Sequence, residues 1–305
     1  MRRTCRFHNR SGFTILELLV SISILAVLSA IIIPAVQSAR GASRKVSCRN
    51  NLRQVGIGLQ QYVAAHGQFP KTRSATGSSF VSLLPWLDQA SMYSAIVEAN
   101  RTGKRSAFAQ PGVFVCPEDP VAVSRRRATS IGENVGICVF EKKKETPVGR
   151  EYDGIFLTPM QPQIVRPAGV TDGMSNTACY AEIVGYPRPD RRRMVYSFSS
   201  DGMRCRAVQE LATHCRMADK ALPSNGPIRR GSDWIQGGLQ LNQYQHVLPP
   251  NERECLFIPN AASEHQAGAH TAMCDGSVKF VSSSVDDAVW QAAGSRNGAE
   301  PFSQF

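Results

Sequence analysis

The stretch SGFTILELLVSISILAVLSAIIIP, residues 11–34, decides how the rest of the chain is read. Residues 13–33 hold a single ionisable side chain, Glu17, near the start of an otherwise apolar run. At about 1.5 Å rise per residue, a helix over this run is roughly 30 Å long, the thickness of a hydrocarbon core. No second run of this kind occurs, so the sequence predicts at most one membrane span. The apolar part is too long for an ordinary secretory signal peptide, and no clean A-x-A cleavage site follows it.

Loop charge does not orient the span. Arg2, Arg3, Arg6 and Arg10 precede it, and Arg40, Arg44, Lys45, Arg49 and Arg53 follow it. The cysteines give a direction. Cys5 lies before the span; Cys48, Cys116, Cys138, Cys179, Cys205, Cys215, Cys255 and Cys274 lie after it, with no C-x-x-C pair and no His/Cys spacing suited to zinc. An even set of scattered cysteines points to disulfides in an oxidising compartment, against the alternative of buried free thiols. Their pairing stays open, since eight cysteines allow about 105 connectivities.

Beyond the span, Cys48, Leu52, Val55, Leu59 and Tyr62 recur at helical spacing, as the buried stripe of one helix face does. The helix is therefore expected to continue to His66 and stop at HGQFP, with Gly67 as C-cap and Pro70 just beyond. Pro34 lies inside it and is expected to kink it. From Pro70 the texture changes to short apolar runs such as GVFVCP, VGICVF and DGIFL, read as strand and loop. A helix divided by Pro85 is expected in SSFVSLLPWLDQASMYSAIVEAN. Asp153-Gly154, Asp172-Gly173, Asp201-Gly202 and Asp275-Gly276 mark tight turns, the clearest being the hairpin AHTAMCDGSVKFV. Residues 185–245 read as a polar, loop-rich insertion. The expected fold class is α+β: a long N-terminal transmembrane helix leading into a globular domain dominated by antiparallel sheet.

Gly12 closes a short basic leader, Phe13 opens the apolar run, Glu17 is the fifth residue from Phe13 and Pro34 the twenty-second. This arrangement resembles the prepilin signal of type IV pilins and type II secretion pseudopilins. The resemblance implies cleavage between Gly12 and Phe13 by a prepilin peptidase and methylation of the new amine on Phe13. It further implies that Glu17 pairs with the terminal amine of a neighbouring subunit during assembly. The competing reading lets Glu17 reach the headgroups, since an unpaired acid at mid-span costs about 2.5–3.5 kcal/mol. The organisation expected is leader 1–12, transmembrane helix 13–33, helix extending from the membrane over 34–66, and a β-rich extracytoplasmic domain over 67–305.

The segments SCRNNLRQVGIGLQQYVAAHGQFP, FVCPEDP, GVTDGMSNTACYAEIVG, YQHVLPPNERECLF, HQAGAHTAMCDGSVKFV and GSRNGAE follow one another as in DUF1559, a bacterial family of unknown function that the chain resembles outside 185–245. Its H-X9-DG motif falls on His265, Asp275 and Gly276. Ile131 stands where the family usually has Tyr, and His270 where Asn is common. The structural reading of the motif is a hairpin turn at Asp275-Gly276, with His265 fixing the preceding loop. The competing reading is a ligand or metal site from His265, His270 and Asp275. Asp172 and Gly173 read as a turn whose side chains bond the backbone.

Composition is ordinary for a globular chain, 42% hydrophobic and 19% charged over 305 residues. No G-x-S-x-G, P-loop or H-E-x-x-H motif is present, so no enzymatic activity, cofactor or metal is expected. Formal charge is +11, and falls to +7 once the four Arg of residues 1–12 are removed. The clusters Arg125–Arg127, Lys142–Lys144 and Arg191–Arg193 read as solvated loop charge, because no aromatics interleave them; binding to nucleic acid is the secondary reading. The function expected is a pseudopilin-like subunit of the inner membrane, with its C-terminal domain periplasmic or extracellular and with other pilin-like subunits or itself as partners. The alternative is a membrane-tethered periplasmic binding protein for a solute, ion or polyanion such as DNA.

Overall fold

The computed structural model describes residues 14–103, 108–137, 153–156, 164–185, 195–197, 208–218, 220–221, 229–239, 241–252, 254–255, 258–265 and 267–298. Gly12, Phe13, Cys5, Cys138, Cys205, Asp201-Gly202 and the basic runs 142–144 and 191–193 lie outside these residues. The chain divides into two units, Met1–Arg44 and Lys45–Phe305.

Helix α1 spans Ile15–His66 without interruption. Pro34 lies within it and has no N–H to donate to the Ala30 carbonyl. In the first unit the apolar side chains from Ile15 to Val36 are exposed, and this helix is long and apolar enough to cross a membrane. In the second unit the predicted stripe is buried at Cys48, Leu52, Val55 and Leu59, joined by Gly56, Gly58 and Val63. The helix ends as its sequence dictates: Gly67 takes φ +66° and its N–H donates to the Val63 carbonyl at 2.8 Å, closing the last turn.

Helices α2 (Ser79–Leu83) and α3 (Ala90–Arg101) are separated by a 3₁₀ turn, Leu84–Leu87, that begins at the expected break around Pro85. A short α4 (Pro120–Ser124) precedes the main sheet. Its strands are β1 (Ile131–Asn134), β2 (Ala178–Glu182), β5 (Gln243–Tyr244), β7 (Gly268–Met273) and β8 (Val278–Ser282), in the order β5-β1-β2-β7-β8. Within this sheet β1 and β5 pair in parallel and the other named pairs are antiparallel. A second sheet, β4-β3-β6, joins Lys220–Ala221, Val195–Ser197 and Glu254–Cys255. Helices α5 (Val208–Met217) and α6 (Asp287–Ala292) complete the described elements. The fold is α+β with a mixed, mostly antiparallel sheet.

The main sheet is covered on both faces. Successive residues of a strand point to opposite sides. Tyr180 accordingly joins the core formed by Leu52, Val55, Leu59, Phe80, Phe114 and Trp234, while Ala181 packs with Tyr244, Val281 and Trp290. A third cluster sets Leu211 and Cys215 of α5 against Val247, Leu248 and Ile258.

Two local expectations are sharpened. GVFVCP is a 3₁₀ turn, Gly112–Phe114, because Phe114 turns into the core against Phe80 and Trp234 while Cys116 is held to α1 by a disulfide. The stretch 185–245 is more than loop: it contributes α5, β3, β4 and β5. Arg230 within it is buried and ion-paired to Glu254 at 2.5 Å. It belongs to the interior and not to a basic surface.

Candidate functional site

At the start of α1, Thr14 and Glu17 form a reciprocal cap. The Thr14 N–H and hydroxyl donate to Glu17 Oε2 at 2.9 and 2.8 Å, and the Glu17 N–H donates to Thr14 Oγ1 at 3.3 Å. Thr14 serves as N-cap and Glu17 as the third helical residue, which is the capping-box pattern T-x-x-E. Glu17 is therefore satisfied within its own chain. The pattern is legible in the sequence itself.

The two halves of H-X9-DG separate. His265 precedes β7, whereas Asp275 and Gly276 turn the chain between β7 and β8 at the other end of that strand. Six residues of strand span roughly 20 Å, so no site joins His265 to Asp275. The turn follows its chemistry: Gly276 takes φ +82°, and Asp275 Oδ1 accepts from the Ser277 N–H and hydroxyl. It docks on the second unit's part of α1. Arg53 Nη1 donates to the Gly276 carbonyl at 3.0 Å and Gln60 Nε2 donates to the Cys274 carbonyl. At Asp172-Gly173, Gly173 takes φ +99°, the Asp172 carbonyl accepts from Asn176, and Asp172 Oδ2 accepts from the Gly298 N–H at 2.7 Å. That bond ties TDGMSNT to GSRNG.

His265 instead enters a buried cluster. Glu182 ends β2, and its Oε2 accepts from the His270 N–H at 2.8 Å and lies 3.2 Å from His270 Nδ1. His265 Nδ1 lies 2.8 Å from Glu118 Oε2, and His265 Nε2 lies 3.5 Å from Glu182 Oε1. The disulfide Cys48–Cys116 stands against this group: one donor atom from each of Cys48, Cys116, Glu182 and His265 fall within 4.8 Å of one another. The loop FVCPEDP supplies three parts here. Cys116 bonds α1, Glu118 meets His265, and Asp119 Oδ1 caps α4 by accepting from the Val121 and Ala122 N–H groups. Asn251, at φ +65°, donates from Nδ2 to the His265 and Gly268 carbonyls and so fixes the loop that carries His265.

Electrostatics couple the pair. Burial alone would lower the His265 pKa, but the nearby carboxylates of Glu182 and Glu118 outweigh it and raise the value, with Lys45 opposing. Burial would raise Glu182, yet the proximity of the His265 ring and the hydrogen bonds from His270 outweigh it and hold the carboxyl below its ordinary range. Lys45 Nζ sits 3.8 Å above the Phe280 ring, which in turn meets His270 edge-on. Glu118 and Glu182 were not singled out in the sequence, because nothing in local spacing connects residues 48, 116, 118, 182, 265 and 270.

The described cysteines correct a uniform disulfide reading. Cys48–Cys116 and Cys215–Cys255 are bonded, whereas Cys179 and Cys274 are free and buried. The Cys179 thiol lies 3.2 Å from both the Ala272 and Met273 carbonyls of the neighbouring strand.

An apolar helix with a capped acid in its first turn, continuing into an α+β domain, defines a pilin-like membrane-anchored protein, and the prokaryotic N-terminal methylation motif matches residues 7–33. That motif implies processing by a prepilin peptidase. The chain belongs to the family described as Protein of unknown function (DUF1559), whose model matches residues 37–288. No curated protein and no solved structure matches it.

Proposed function

We propose that the protein is a non-enzymatic, pseudopilin-like subunit of a type II secretion or type IV pilus-like assembly, set in the inner membrane with its globular domain on the periplasmic side. The observation that carries this reading is Glu17, in the first turn of an uninterrupted 52-residue helix whose start matches the methylation motif. Removal of residues 1–12 would leave a charged amine on Phe13, next in sequence to Thr14 and four residues before Glu17. On assembly the Glu17 carboxylate exchanges its Thr14 donors for the amine of an adjacent subunit. A charge pair in apolar surroundings is favourable only when both members are matched, so the exchange sets axial register. The disulfides Cys48–Cys116 and Cys215–Cys255 support an oxidising location for the domain.

Mass spectrometry of the membrane-extracted protein tests the processing step. A mass lower by residues 1–12 and higher by one methyl group is expected, and an intact leader overturns the reading. Replacement of Glu17 by Ala should then abolish cross-linking between subunits in membranes while leaving cleavage intact.

A further inference from the structure

The cluster around His265 has the donor set and the support of a zinc site. In the disulfide state Glu182 Oε1 and His265 Nε2, on two side chains at least nine-tenths buried, make no hydrogen bond and face each other across 3.5 Å. Each is the free end of a group whose other end is held. Glu182 Oε2 is occupied by the His270 N–H and ring, and His265 Nδ1 is engaged with Glu118. A carboxylate on the far nitrogen of a histidine fixes its tautomer and turns the near nitrogen toward a metal, as in carboxylate–histidine–zinc arrangements. The sulfurs of Cys48 and Cys116 complete a group of four donors within 4.8 Å. A tetrahedral ion with bonds of about 2.0–2.3 Å needs its donors roughly 3.3–3.8 Å apart, which this group reaches by small side-chain rotations once the two sulfurs are separate.

We propose that in the dithiol state Cys48 Sγ, Cys116 Sγ, Glu182 Oε1 and His265 Nε2 bind one Zn²⁺, and that the Cys48–Cys116 disulfide is the metal-free, oxidised form of the same site. Two thiolates, one imidazole and one carboxylate suit a borderline-soft cation and not calcium or magnesium. Binding requires no redox change: the two thiols lose their protons and the ion takes the place of the Glu182–His265 contact. Oxidation takes a disulfide as co-reactant. One cysteine thiolate attacks it, forming a mixed disulfide and expelling a thiolate. The second cysteine attacks the mixed disulfide, expels the other thiolate, and Zn²⁺ leaves hydrated. Two electrons pass from the cysteines to the co-reactant, and the ligands Glu182 and His265 return to each other.

The test uses the full chain in detergent micelles, reduced with a phosphine and titrated with Co²⁺ and then Zn²⁺. Expected are one Co²⁺ per chain, a thiolate-to-cobalt charge-transfer band, and displacement of the band by Zn²⁺. The C48S/C116S double variant should lose the band, and Glu182→Gln or His265→Ala should weaken binding at least 100-fold. Glu118→Gln leaves all four ligands in place and should keep the band with affinity lowered about 10–100-fold. Should the reduced chain unfold, circular dichroism should show Zn²⁺ restoring it. A reduced chain without the band, a band that survives C48S/C116S, equal binding by the disulfide form, or unfolding that Zn²⁺ does not reverse overturns the proposal.

Discussion

Gly56, on the buried face of α1, lies so close to Gly276, the turn glycine of the β7–β8 hairpin, that a Cβ on Gly56 would stand 3.1 Å from both the Gly276 Cα and its carbonyl oxygen. The obstructing atoms are backbone, held by the Arg53 bond to that same carbonyl and by a φ of +82°. The turn has little room to give. Gly56→Ala should gain up to about 1 kcal/mol of helix propensity and lose about 1–3 kcal/mol to overpacking, for a net loss of stability. Guanidinium denaturation followed by tryptophan fluorescence should show a lower midpoint, whereas Gly41→Ala, with nothing within 4 Å of the added carbon, should show none.

Thr14 separates two roles of Glu17. In the isolated chain Thr14 satisfies the Glu17 carboxylate; in the proposed assembly it competes with the neighbouring amine. Thr14→Ala should leave processing and subunit cross-linking at or above wild-type levels, while Glu17→Ala abolishes cross-linking. Equal losses in both variants would show that the cap, and not the intersubunit pair, is what assembly needs.

The buried pair Arg230–Glu254 predicts a non-additive response. Both side chains are almost fully buried, so removing one leaves an uncompensated charge in the interior. Arg230→Met and Glu254→Leu should each cost about 3–5 kcal/mol, and the double variant should recover most of that loss. A double-mutant cycle on denaturation midpoints measures it.

What the sequence disclosed was local. The stripe from Cys48 to Tyr62, the stop at Gly67 and the Asp275-Gly276 hairpin each rest on spacing or on one residue's backbone preference, and all three stand in the structure. GVFVCP does not disclose its own conformation, because a four-residue apolar run has too few positions to separate periods of 2 and 3.6. Arg230 gives no local sign of its burial, because its partner Glu254 lies 24 residues on, in β6. The His265 cluster draws on residues separated by up to 222 positions, from Cys48 to His270, and only the assembled sheet brings them together. Thr14 is the exception. Its T-x-x-E pattern is a short-range signal that the sequence carries by itself.

Two buried groups away from the His265 cluster, Glu133 and His246, predict an unusual pH response. Glu133 in β1 is pushed up to about 7 by burial, which outweighs hydrogen bonds from Thr72, Ser79 and Gln243. His246 is pushed down to about 3 by burial, opposed by its bond to the Trp290 carbonyl. Its ring stacks on Trp290, with Nδ1 2.9 Å from that carbonyl and Nε2 3.0 Å from the Tyr244 hydroxyl, so it is the neutral form with Nδ1–H donating and Nε2 accepting. Between the ordinary values of 4.5 and 6.5, the folded chain keeps a proton on Glu133 that the unfolded chain releases, so this group makes stability fall as pH rises. Over the same window the unfolded chain holds a proton on His246 that the folded chain lacks, so this group makes stability rise with pH. The two slopes cancel in the native protein. Glu133→Gln removes one of them, and its stability relative to wild type should rise with pH by about 1 kcal/mol per unit from 4.5 to 6.5. Denaturation midpoints taken across that window, read from the buried Trp234 and Trp290, give the difference curve; a flat difference would place the Glu133 proton outside it.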